Sequence, residues 1–139
     1  MNKLVIKFSD EDEFEVFSAL IQSARNALQI VCSEATEVLQ ARLLFSVCHD
    51  IYTDKIAPKI LKPPDSYQIQ FNDTQVTSLA LIIRNYDFAG GKTEYNQTIL
   101  NSINALLDEY LTNTPIINKK RCVNLLESGT YESKTFIES

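Results

Sequence analysis

Apolar residues along this chain recur at two spacings. At 3–8, Lys-Leu-Val-Ile-Lys-Phe puts Leu4, Ile6 and Phe8 on every second position, the pattern of a short half-buried strand. From Phe14 the period changes: Phe14, Phe17, Ile21, Ala24, Leu28 and Val31 follow at intervals of 3, 4, 3, 4 and 3. That is one continuous apolar stripe, and it predicts a helix over 10–30. Ser9 stands where its N-cap belongs, with Ser9-x-x-Asp12 as a weak capping box, and the acids at 10–13 suit the positive end of the helix dipole.

A break near Cys32 and Ser33 precedes a second helical run over 34–56, apolar on more than one face through Leu39, Leu43, Leu44, Val47, Cys48 and Ile51. Such breadth belongs to a helix covered from several sides. Pro58 kinks or ends it, and 59–65, with Pro63-Pro64, reads as a connection. The opening pattern then returns. Tyr67-Gln-Ile-Gln-Phe71 alternates like a strand, Asn72 is a good N-cap, and Asp73 opens a helix over 73–86. Gly90-Gly91 ends it, and Thr93 caps a fourth helix over 93–111 with Tyr95, Ile99, Ile103, Leu106 and Tyr110 on one stripe, before Pro115. Beyond that, 121–127 reads as a short helical turn, and 130–138 as an edge strand or a frayed end.

The expected fold is therefore α+β and mainly helical, with four main helices over a small sheet of two or three strands. The two strands, marginal alone in water, should pair with each other beneath the helices. Ile6-Lys-Phe-Ser-Asp10 matches Ile69-Gln-Phe-Asn-Asp73 at an offset of 63, so the chain divides into two β-α-α units, 1–62 and 66–117, in one domain over 1–117 with a tail at 118–139. Duplication explains the match; so does chance reuse of common strand-to-helix grammar.

Length and composition fit that reading: 139 residues make one ordinary domain, and 45% hydrophobic with 22% charged is globular rather than disordered. No apolar run approaches a membrane span, and the apolar stretch at the start is too short for a signal peptide, which leaves a cytoplasmic expectation. Charge sharpens the picture. The net charge is −5, and Asp10, Glu11, Asp12, Glu13 and Glu15 account for all of it, since the remaining acids equal the 13 Lys and Arg. A sequence pI near 4.8 argues against broad attraction to nucleic acid. The basic cluster is Lys119, Lys120 and Arg121. Asp10, Glu11, Asp12, Glu13, Lys119, Lys120 and Arg121 are the candidate contacts for a charged partner.

Three motifs invite chemistry and fail on spacing. Gly90-Gly91-Lys92-Thr93 resembles the end of a phosphate loop, but Tyr86 stands where the earlier glycine is required. Cys48-His49-Asp50 holds the sole histidine, yet adjacent helical residues point about 100° apart, and Ser46 and Thr53 occupy the useful positions around His49. The acidic run lacks the alternation and turn glycine of a calcium loop. Cys32, Cys48 and Cys122 are odd in number and far apart, which predicts reduced thiols. No catalytic, cofactor or metal site is expected.

Two functions follow from this balance. The first is a noncatalytic protein–protein interaction or regulatory domain, self-associating as a homodimer or binding another protein, because apolar stripes are abundant and catalytic groups scarce. The second is a small-molecule-binding protein or enzyme, with its site near 86–95 and His49. Surface left over on the helices is covered by a second copy, or by the tail through Tyr131, Phe136 and Ile137.

Overall fold

The computed structural model describes residues 3–34, 38–85, 94–113 and 120–125. In chain order it runs β1 (Lys3–Phe8), α1 (Glu11–Glu34), α2 (Leu39–Ile51), a π-helical turn (Tyr52–Ile56), α3 (Ala57–Leu61), β2 (Tyr67–Asn72), α4 (Asp73–Asn85), α5 (Glu94–Asn113) and β3 (Lys120–Asn124). The expected α+β, mainly helical class is what is found.

The two expected strands pair antiparallel, with Leu4 opposite Phe71, Ile6 opposite Ile69 and Phe8 opposite Tyr67. The strand order is β2-β1-β3, and β3 runs parallel to β1. This third strand corrects the helical turn expected from Arg121. Val123 and Leu125 are buried in the core, and the Leu125 N–H donates to the Lys7 carbonyl at 2.9 Å, so alternation with ladder bonding decides the conformation there. The edge strand expected over 130–138, the Gly90–Thr93 turn and Lys119 lie outside the described residues.

One sheet face carries Leu4, Ile6, Phe8, Ile69, Phe71 and Val123, all buried with the helices in a single core. At its centre the Phe17 ring sits 5.6 Å from Phe8 and 5.8 Å from Phe71. Among the helices, α1 packs against α2 and α5, and α4 against α5 and α2. The other sheet face is largely open, with Lys7, Gln68, Gln70, Asn72, Cys122 and Asn124 exposed.

Four boundaries differ from expectation. Asp10 rather than Ser9 caps α1: its Oδ1 accepts the Glu13 N–H at 3.0 Å, while Glu13 Oε1 accepts the Ser9 N–H at 2.7 Å. α1 runs through Cys32 and Ser33 to Glu34, since the Ser33 hydroxyl donates to the Ile30 carbonyl at 2.9 Å and is satisfied inside the helix. α2 accordingly starts later, at Leu39. The helical path also continues past Pro58 to Leu61. A proline ring clashes with the carbonyl four residues back, and the wider π turn before it, closed by the Ala57 N–H on the Tyr52 carbonyl, opens the room it needs. At β2–α4 the expected Asn72 cap is present as a full capping box, with Gln75 N–H on Asn72 Oδ1 at 2.8 Å and Asn72 N–H on Gln75 Oε1 at 2.9 Å.

Candidate functional site

The acidic start of α1 is the most distinctive surface. Because Asp10 caps the helix and Glu13 turns inward, only part of the run faces solvent: Asp10, Glu11, Asp12 and Glu15 are exposed, whereas Glu13 is 4% exposed. Burial raises the Glu13 carboxyl above the usual carboxylate range, against the Ser9 N–H that favours its charged form, and the neighbouring Asp10 adds to the rise. Glu13 is thus turned away from solvent, and the exposed carboxylates of the run are those of Asp10, Glu11, Asp12 and Glu15.

Two tyrosines flank these acids. Burial raises the Tyr67 hydroxyl first, and the charges of Glu11 and Glu15 raise it further. The same holds for Tyr95 at the start of α5, with burial again first and Asp10, Glu13 and Asp12 behind it. Beside Tyr67 lies a groove of about 310 Å³ between α1, α3 and the start of β2. Glu11, Glu15, Ala19 and Gln22 form its α1 wall, and Lys59, Ile60 and Pro63 stand opposite, so among the described residues the lining carries two carboxylates and one ammonium group. Those α1 positions span three turns, roughly 16 Å of helix. Phe14 stacks on Tyr67 at 4.6 Å and 29° between ring planes, which gives the groove an aromatic side.

Large apolar side chains in solvent lie close by and at the far end of the hairpin. Ile60 is 49% and Leu61 85% exposed on α3, and Ile30, Leu39 and Leu43 are 56%, 81% and 56% exposed where α1 gives way to α2. Leu39 and Leu43 share one helical face.

The basic cluster goes elsewhere. Lys120 and Arg121 open β3, in register with Lys3 and Leu4 of β1, so the structure does not bring them into the acidic surface by strand pairing.

His49 is exposed and stacks on Phe45 at 5.9 Å. Cys48 is fully buried, and burial pushes its thiol up to about 12, against the opposing charge of Arg25. Among the described residues, no three His, Cys, Asp or Glu side chains come together in a way that could hold a metal ion. Also among them, no helix is long and apolar enough to cross a membrane. Comparison with protein-family models, curated proteins and solved structures finds no match to this chain.

The groove was not visible in the sequence because its walls come from Glu11–Gln22 and from Lys59–Tyr67, roughly fifty residues apart. The available signal was the i, i+4 pair of Glu11 and Glu15 on the solvent side of the α1 stripe, beside a tyrosine at the head of β2.

Proposed function

We propose that this chain is a noncatalytic, cytoplasmic protein–protein interaction domain whose acidic groove takes a basic amphipathic segment of a partner protein. The observation that carries the reading is the groove itself: an aromatic and aliphatic trough in which the Glu11 and Glu15 carboxylates outnumber the one ammonium group among the described residues, that of Lys59. Carboxylates beside a tyrosine suit arginine and lysine, through charge-assisted hydrogen bonds and contact with the ring face. A helix carrying apolar residues at i, i+3 or i+4, and i+7, with basic residues alongside, matches the length of the trough.

Self-association belongs to the same proposal. A two-fold interface meets itself, so a patch built around Leu39 and Leu43 on one short helix can pair with its copy, leaving the groove free.

Selection of peptides from a random library against the full chain tests the groove. The proposal expects enrichment of Lys- or Arg-bearing amphipathic sequences whose binding is lost on Glu11→Lys/Glu15→Lys. Enriched peptides that are acidic, or that bind the charge-reversed variant equally well, would overturn it.

A further inference from the structure

The open face of the sheet carries a second and chemically different site. A cleft of about 490 Å³ lies where β1, β2 and β3 meet the π turn and α3. Lys7 and Gln68, cross-strand partners, and Gln70 supply one wall; Asp54, Lys55 and Lys59 supply the other. Its volume falls in the range of small-molecule sites, roughly 300–1,000 Å³.

Three features single it out. First, among the described residues three lysines and one aspartate line the cleft, in a chain whose net charge is −5, so the local balance of charge is the reverse of the overall one. Second, Asp54 and Lys55 sit on the π-helical turn and Lys59 just beyond Pro58; such turns are uncommon and cluster at functional positions. Third, the cleft has no stacking platform: beside its charged groups, the described residues lining it are two carboxamides, the Cys122 thiol and the aliphatic Val5 and Ile69, with no aromatic ring. Nucleobases are held largely by aromatic stacking, so a nucleic acid or nucleotide is disfavoured.

From this arrangement we infer that the cleft binds a small phosphorylated polyol, with Lys7, Lys55 and Lys59 on the phosphate oxygens and Asp54, Gln68 and Gln70 on hydroxyl groups. The inference does not depend on the occupant of the acidic groove, which the cleft adjoins: among the described residues, Lys59 lines both.

Calorimetric titration and thermal melting of the full chain with fructose 1,6-bisphosphate, inorganic phosphate and unphosphorylated fructose test the inference. A ligand specific to the native state raises the melting temperature with concentration. Fructose 1,6-bisphosphate should bind at one site and more tightly than inorganic phosphate, and fructose should not bind. Lys55→Gln/Lys59→Gln should weaken binding about tenfold or more, as expected for charge-assisted contacts, while Lys62→Gln on the neighbouring surface leaves it unchanged. Lys7→Gln, on the sheet, provides an independent reduction should the helical pair fail to fold. Absence of any heat or shift up to about 10 mM, ten times a millimolar Kd, would overturn the proposal. So would equal weakening by Lys62→Gln. Co-sedimentation with vesicles containing phosphatidylinositol phosphates, without binding of the free sugar phosphate, would assign the cleft to a lipid headgroup and equally refute a free polyol ligand.

Discussion

At the scale of single residues, burial decides which of the suggestive side chains remain chemically available. Cys48 lies inside α2 with its thiol pushed up to about 12, whereas Cys122 is exposed on β3. An alkylating reagent should therefore modify Cys122 readily in the native protein and reach Cys48 only after denaturation, as read by mass spectrometry of the digested chain. Native labelling of Cys48 at the rate of Cys122 would contradict its placement. Glu13 makes a pH prediction of definite sign. Its folded carboxyl holds a proton to higher pH than the unfolded one, so the native state binds more protons in that window and stability falls as pH rises through it. Glu13→Gln keeps an oxygen acceptor for the Ser9 N–H but removes the titration. Urea unfolding between about pH 4 and 7 should show a flatter stability profile for the variant, and at pH 7 a stability at least equal to the parent. Parallel profiles would contradict the burial argument.

At the scale of elements, the two strand-to-helix junctions use the same device. Asp10 with Glu13, and Asn72 with Gln75, each satisfy first-turn N–H groups that would otherwise lack partners. Asp10→Ala and Asn72→Ala should each cost about 1 kcal/mol in denaturant unfolding. A cost near zero at both would remove the capping account. The Asn72 junction, the strands at 3–8 and 67–71 and the apolar stripes of α1 and α5 were legible because each is local: Phe14 to Val31 announces its period without reference to anything else. What was not legible depended on partners far away. Arg-Cys-Val-Asn at 121–124 becomes a strand because β1 offers an open edge over a hundred residues earlier, and Val123 finds the core there. Pro58 predicted a kink or a stop, but the π turn that carries the helix past it is a tertiary compromise with no local signature.

At the scale of the whole molecule, acids cluster at the start of α1 and lysines Lys7, Lys55 and Lys59 around the cleft on the sheet, with Lys59 at the boundary between the two. Apolar side chains left in solvent occupy α3 and the end of the α1–α2 hairpin. If Leu39 and Leu43 meet their copies, light scattering at micromolar concentration should give twice 15.8 kDa, and Leu39→Glu/Leu43→Glu should return the mass to 15.8 kDa. A single 15.8 kDa species for the parent chain would remove the dimer and leave the groove untouched. The groove itself is tested most directly by nuclear magnetic resonance of the isotope-labelled full chain, titrated with a basic amphipathic helical peptide. The account predicts that amide signals from Glu11 to Gln22 and from Lys59 to Tyr67 move together and saturate, and that Glu11→Lys/Glu15→Lys abolishes the movement. Signals that shift instead on the open sheet face, or that stay still throughout, would contradict it.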